Sequence, residues 1–424
     1  MLVALLSLPR RQYIYIFLLA LAFRLFLLLA FHWDNHITDS YDTIAINLIQ
    51  GRGFSYNGLG PTVCRAPVYP LCLAILFLGF GYHPEPFLLL RLVNIFCDSL
   101  TATLVLHLSC KWFSKVNRSM AFAGGAVYAL NLFAAYYTVK LGEETISIFV
   151  FVLYLLLLHM VLFRRKDRLR NTVTLGVLGG IMILNKSVFL PVVIAIPFSL
   201  FLIFPGFRNR NFALTALVAT VISLAVISPW MVRNMIVAKR LVLVQTLTGY
   251  NFWYDFSLDR NRDLAFESGK LDRPFSGDPV QVDSRVYAPY SLNAREDARY
   301  DSKLVREAAI WAARNPASFL SKVCDNLLSF WYLTETPLKM IIAGLFSLLL
   351  ILTSVWGVNE LVSLGQGREA LLFLFVVGLI DLIYSPVIGV FRYSLVTYPL
   401  LAPLSGCSLG RFAHGFAARH QTSS

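Results

Sequence analysis

The chain has 24 Asp and Glu residues, unevenly placed. Thirteen lie between 231 and 337; of the other eleven, Asp34, Asp39, Asp42, Glu85, Glu143 and Glu144 border apolar runs, Asp98 and Asp381 lie inside them, and Asp167, Glu360 and Glu369 sit near basic clusters. A carboxylate just beyond an apolar run can accept the proton of an attacking hydroxyl or amine. Asp39 and Asp42 both suit that role, and Glu144 is the second acid, placed to orient an acceptor or help hold a metal ion. Arg52, Arg65, Lys186, Arg233 and Arg392 share these borders. Guanidinium groups offer paired bonds to phosphate oxygens and ammonium groups a point charge. Acids and cations gathered at one depth would suit transfer of a group off a phosphate, although a solvated helix end or a local ion pair explains any single residue as well.

The elements that must hold these residues are apolar. Of 424 residues, 57% are hydrophobic and 14% charged, against roughly 45–50% and 25% in soluble domains, and mean hydropathy is +0.65. A soluble single-core protein is excluded. Apolar stretches near 13–31, 86–110, 119–138, 144–163, 172–186, 188–204, 212–229, 338–357, 370–388 and 393–410 approach or reach the roughly 20 residues that cross a bilayer. They predict about ten spans. Arg10 and Arg11 precede the first without a small-residue cleavage site, so it reads as a retained span. The six cysteines form no C-x-x-C pair and read as packing residues rather than a disulfide framework or zinc site.

Charge sets the orientation. The net charge of +13 comes from clusters between spans: Lys111/Lys115/Arg118, Arg164-Arg165-Lys166 with Arg168/Arg170, Arg208/Arg210 and Arg411/Arg419. All fall on the cytoplasmic side if the short run from Val68 to Gly81 lies on or dips into the membrane instead of crossing it. That pattern is a topology signal and not a nucleic-acid face. It leaves three regions: 1–230, transmembrane and catalytic, with a first external loop at 32–85; 231–337, an extracytoplasmic domain; and 338–424, the C-terminal spans and a short cytoplasmic tail. The 231–337 domain, with 14 Lys/Arg against 13 Asp/Glu, reads as globular. Within it Leu241–Phe256 alternates like a strand pair or turn region, 257–289 is a Gly/Pro/Ser/Asp-rich loop suited to ordering over a substrate, Ser291–Arg314 is helical up to Asn315-Pro316, and Pro316–Phe330 is an interfacial helix.

Several short motifs carry a family resemblance. They are Asp39-Ser40-Tyr41-Asp42-Thr43-Ile44-Ala45, Gly51-Arg52-Gly53-Phe54-Ser55, Arg65-Ala66-Pro67-Val68-Tyr69-Pro70, Gly142-Glu143-Glu144-Thr145, Pro229-Trp230-Met231-Val232-Arg233-Asn234, Thr248-Gly249-Tyr250-Asn251 and Phe391-Arg392-Tyr393. In this order the chain resembles the GT-C fold glycosyltransferases, in particular the protein mannosyltransferases and the lipid A aminoarabinose and galacturonic acid transferases. The resemblance implies an all-α polytopic membrane protein with an extracytoplasmic α or α/β domain. It further implies a hexosyl- or pentosyltransferase that takes sugar from a polyprenyl-phosphate donor and passes it to an extracytoplasmic lipid, glycan or protein. Donor and acceptor contacts would come from Arg65, Tyr69, Lys186, Arg233, Asn234, Tyr250, Arg392 and Tyr393, with Lys186 standing where the family usually has an Arg.

Such a donor already leaves as a stabilised phosphate, so cations suffice at the leaving group and one carboxylate suffices at the acceptor. Direct displacement predicts inversion at the anomeric carbon. No cofactor is expected; a divalent ion held by Asp39, Asp42 and Glu144 is chemically feasible but no spacing demands it. The aromatics Tyr250 and Trp253 suit sugar stacking or an interfacial belt. The charged residues within spans, Arg24, Arg91, Asp98 and Asp381, are expected to pair between helices. The competing reading is a secondary transporter of a small polar or anionic solute, with Arg24, Asp98 and Asp381 at mid-membrane. It requires those charges to converge and the chain to show a repeat, and no internal repeat is evident. The expected location is a bacterial inner membrane, with the site facing outward.

Overall fold

The computed structural model describes residues 8–33, 37–82, 84–163, 167–258 and 293–421. Asp34 and most of the 257–289 stretch lie outside the described residues. The described residues are mostly helical, because an apolar run in lipid has only its own carbonyls to bond its amides. Sixteen helices follow in order: α1 Arg10–Ala30, α2 Tyr41–Ile49, α3 Val68–Phe80, α4 Pro84–Trp112, α5 Arg118–Ala129, α6 Leu132–Val139, α7 Glu144–Phe163, α8 Arg168–Asn185, α9 Phe189–Ile203, α10 Arg210–Ala238, α11 Thr248–Leu258, α12 Ala294–Arg314, α13 Pro316–Ser329, α14 Pro337–Ser363, α15 Gly367–Tyr384 and α16 Tyr398–Gln421. Asn side chains at 117, 131, 209 and 293 cap α5, α6, α10 and α12 by accepting amide protons from the first turn.

Each expected span maps onto a helix or, for α5 and α6, a pair bent by 43°. Among the described residues α1, α4, α7, α10 and α14 qualify to cross a membrane by length and hydropathy alone, and the bent pair makes up to six. The short run at 68–81 forms α3, 13 residues long, whose Leu71, Ile75 and Leu78 are exposed while Tyr69, Leu73 and Phe77 are buried. Both faces are apolar, one packed on the protein and the other exposed, and at 13 residues the helix is shorter than the roughly 20 that cross a bilayer.

Small residues let the bundle close. A side chain on Gly406 or Gly410 of α16 would collide with Gly124 or Met120 of α5, so these helices approach backbone to backbone. The charged residues of the spans find partners inside it. Arg24 of α1 donates to Asp98 of α4 at 2.6 Å and to the Ala129 carbonyl at 2.7 Å, while Tyr128 and Thr138 donate to Asp98 at 2.7 and 3.0 Å. Arg91 donates to the Val139 carbonyl, and Trp331 donates to Asp381 at 2.9 Å. Arg24 and Asp98 thus pair with each other and Asp381 with Trp331, and none of the three lines the two cavities described below, so the three charges do not gather at one site as a transporter reading requires.

The described part of 231–337 is mostly helical, with 239–247 a non-helical turn region and no strand among the described residues, so of the two readings of Leu241–Phe256 the strand pair is corrected. Residues 241–247 are irregular, with a bend at 243–244; Val242 and Val244 are buried and Leu241 and Leu243 exposed, so the alternation is real. The partners differ: Asn234 donates to the Val242 and Val244 carbonyls, Trp230 to that of Val244, and the Thr246 amide to the Val63 carbonyl. Side chains of α10 and one loop contact replace a strand ladder, and α11 begins at Thr248.

Candidate active site

A cleft of about 600 Å³ opens where the first loop, the starts of α7, α9 and α11 and the segment before α16 meet. Its polar floor starts at Asp39. Asp39 and Ser40 both have left-handed backbone angles, φ 63° and 53°, which costs energy for a residue with a side chain and recurs at functional sites. This turn is fixed from outside: the Thr38 amide donates to the Leu141 carbonyl, and the Tyr56 hydroxyl donates to the Asp39 carbonyl.

The turn presents the Asp39 carboxylate to a cation 353 positions away. Arg392 Nη2 donates to Asp39 Oδ2 at 2.6 Å, and Arg392 Nε lies 2.9 Å from Glu144 Oε1. One guanidinium therefore bridges both candidate acids. Arg65 Nη2 stands 3.6 Å from the other Asp39 oxygen, with its Nε bonded to the Tyr56 hydroxyl at 2.8 Å and its guanidinium over the Tyr41 ring. Burial works against a charge on Asp39, but Arg392 and Arg65 outweigh it and hold the carboxyl well below the usual carboxylate range.

Lys186 completes the group. Its Nζ lies 3.0 Å from Glu143 Oε1, 3.6 Å from Glu144 Oε1 and 5.0 Å from the centre of the Tyr393 ring. Glu143 also accepts from the Tyr41 hydroxyl at 2.6 Å. Gly142 carries no side chain because the Glu144 carboxylate occupies the space one would need. The Arg392 segment is anchored by the Phe391 amide donating to the Leu333 carbonyl, and Tyr393 stacks on Tyr384 at 4.5 Å. Three carboxylates, Asp39, Glu143 and Glu144, face three cations, Arg65, Lys186 and Arg392, in a charge-neutral array. One wall of the cleft is apolar: Val188, Leu190 and Pro191 of the α9 end, with Leu243, Ile383 and Ile388.

Of the sequence-predicted residues, Asp39, Arg65, Lys186, Tyr250, Arg392 and Tyr393 line this cleft, and Glu144 sits at its floor through Arg392. The others are placed elsewhere. Asp42 accepts from Tyr82 at 3.2 Å. Tyr69 is buried edge-on to Tyr41. Arg233 donates to the Thr62 and Phe54 carbonyls between the Phe54 and Trp230 rings, and Asn234 holds the 242–244 backbone. Trp253 donates to the Leu304 carbonyl and packs on Trp311. The candidate metal ligands Asp39, Asp42 and Glu144 do not converge, and among the described residues no group of three His, Cys, Asp or Glu side chains is placed to hold a metal.

The sequence marks Glu143 as an acid near the border but not as a site residue, and Tyr41 and Tyr56 only as aromatics flanking the motifs; Tyr384 and Gln245, which line the cleft, carry no signal there. The available signal was the Glu143-Glu144 pair: at a helix start, before the turn separates them, adjacent side chains can reach one cation.

Comparison with known proteins fits this architecture. Residues 65–232 match the family model described as dolichyl-phosphate-mannose-protein mannosyltransferase. The oligosaccharyltransferase of Archaeoglobus fulgidus in its apo form superposes with a TM-score of 0.59 at 13% identity, over 97% of this chain and 52% of that one. The chain has the GT-C fold. The Archaeoglobus fulgidus oligosaccharyltransferase AglB in complex with an inhibitory peptide and a dolichol-phosphate gives 0.58 at 15% identity, over 97% and 52%. ArnT from Cupriavidus metallidurans bound to undecaprenyl phosphate gives a TM-score of only 0.39 at 14% identity, over 95% and 77%. No curated protein sequence matches. The GT-C chain spans about half the length of the oligosaccharyltransferases it superposes on.

Proposed function

We propose that this multi-pass membrane protein is an inverting glycosyltransferase: it takes a sugar from a polyprenyl-phosphate donor and delivers it to an acceptor outside the cytoplasm. The observation that carries the reading is Arg392 bridging Asp39 and Glu144 beside Lys186 at the floor of a cleft with one apolar wall. A phosphate entering there meets cations already gathered and dehydrated, and such preorganised charge stabilises a leaving phosphate without reorganisation. The wall of Leu190, Pro191 and Ile383 suits the first isoprene units. The family match over 65–232, and the dolichol-phosphate named with the AglB structure, support the same donor class.

The paired state also supplies a switch for the base. While Arg392 holds Asp39, the carboxylate is a weak proton acceptor. A donor phosphate that engages Arg392 withdraws this partner, and the proton affinity of Asp39 rises when the acceptor hydroxyl or amine arrives. Asp39 then takes that proton as the acceptor oxygen or nitrogen attacks the anomeric carbon and the carbon–phosphate oxygen bond breaks. Glu144 and Glu143 keep Arg392 and Lys186 in place; the chain's own cations serve the leaving group, so no step is assigned to a metal. A single displacement inverts the anomeric centre.

The test is in vitro transfer from a panel of radiolabelled polyprenyl-phosphate sugars, guided by mass spectrometry of envelope lipids, glycans and proteins from cells with and without the gene. Arg392→Gln should lower the rate about 10²- to 10³-fold, the usual cost of one transition-state donor. Full activity in that variant, or no envelope component losing a sugar without the gene, refutes the reading.

A further inference from the structure

A second cavity, about 440 Å³, lies between the end of α1, α6 and the start of α14. The site described above does not use it. Its walls are apolar, formed by Leu27, Phe31, Trp33, Leu132, Phe133 and Ile342, whereas Lys140, Lys339 and Arg91 also face it. Lys140 donates to Glu335 at 2.7 Å; Lys339 donates to the Tyr136 hydroxyl at 3.1 Å and to the other Glu335 oxygen at 3.4 Å. Burial opposes ionisation of Glu335, but Lys140 overcomes it and brings the carboxyl down to about 2. Two ammonium groups therefore share one carboxylate at the cavity rim, and Arg91 adds a third positive charge.

Helices on either side of the mouth turn Phe26 and Leu29 of α1, and Leu338, Ile341 and Leu345 of α14, outward. In a membrane protein such faces meet acyl chains. A soluble anion has no use for the apolar walls, and a zwitterionic or neutral lipid has none for the excess of cations. We infer that this cavity binds a bilayer phospholipid with an anionic headgroup, its chain against Leu27, Trp33 and Ile342 and its phosphate between Lys140 and Lys339. The inference stands independently of the transferase reading. Glu335, the carboxylate these lysines share, lines the catalytic cleft and not this cavity.

Trp33 in the wall provides the probe. The full-length protein is placed in nanodiscs of phosphatidylcholine containing increasing fractions of chain-brominated phosphatidic acid, with the reverse labelling as the second arm. The contribution of Trp33 is obtained by subtracting the Trp33→Phe protein. Contact electrostatics near a membrane surface are worth about fivefold per lysine, so the pair predicts quenching by brominated phosphatidic acid at an about 25-fold lower fraction than by brominated phosphatidylcholine. Lys140→Gln/Lys339→Gln should lose this preference and Lys140→Arg/Lys339→Arg should keep it. Equal quenching by the two lipids in the wild-type protein overturns the inference, and that arm needs no variant of the lysines. So does an unchanged preference in the glutamine variant, or complete competition by inorganic phosphate.

Discussion

Replacing Asp39 by Asn separates the two roles given to it. In the free protein Asp39 occupies Arg392 through a 2.6 Å charged hydrogen bond, and a donor phosphate must displace it. A hydrogen bond to a charged group is worth about 1.5–3 kcal/mol, and every 1.4 kcal/mol is tenfold in affinity. Removing the competing charge should therefore tighten donor binding by about tenfold or more. The same change removes the proton acceptor, which should lower the transfer rate by about 10²- to 10⁴-fold. The signature is thus opposed: tighter donor, slower chemistry. Equilibrium binding of a non-transferable polyprenyl-phosphate analogue and single-turnover transfer read the two separately, and Asp42→Asn, beside Tyr82, is the control expected to alter neither. An Asp39→Asn protein that binds donor more weakly would mean that Asp39 holds the donor rather than guarding Arg392. One that transfers at the original rate would end its role as base.

Three more outcomes are expected. Burial pushes the Asp297 carboxyl up to about 8 despite a hydrogen bond from Thr62. The folded chain then holds a proton that the unfolded chain releases near pH 4, so stability falls as pH rises from about 4 towards 8 and Asp297→Asn should flatten the thermal unfolding profile over that window. The fully buried Lys322 is bonded to Asp255, whose carboxylate also accepts from Asn326 and the Gly389 amide. Lys322→Met should destabilise by about 3–5 kcal/mol and the double variant Lys322→Met/Asp255→Leu by much less, since an unpaired buried charge costs more than none; denaturant unfolding of the two proteins checks this. Finally, the exposed Lys239, just past α10, is expected outside: in intact cells a Lys239→Cys protein should react with an impermeant thiol reagent, and labelling only after lysis would invert the topology.

The membrane class, helix positions and charge asymmetry of this protein were legible in the residues because they are local. An apolar run determines a span through backbone satisfaction, a basic cluster marks an end, and Asn293 or Asn315-Pro316 marks a helix boundary wherever the rest of the chain goes. The resemblance of short motifs carried the fold further, to GT-C. Roles within the site depended on direction in space. Asp39 and Asp42 are three positions apart in a sequence that gives each a plausible claim; the left-handed turn at Asp39 and Ser40 sends the first to Arg392, while the opening turn of α2 leaves the second beside Tyr82. Arg233 and Lys186 look alike as border cations, yet one satisfies carbonyls of the first loop and the other meets two carboxylates. The alternation in 241–247 has the period of a strand, but the strand ladder depends on a neighbouring backbone, and here Asn234 and Trp230 take that place. In each case the deciding partner is remote in sequence, so only the packed helices determine which charge is left for chemistry and which is spent on holding the fold.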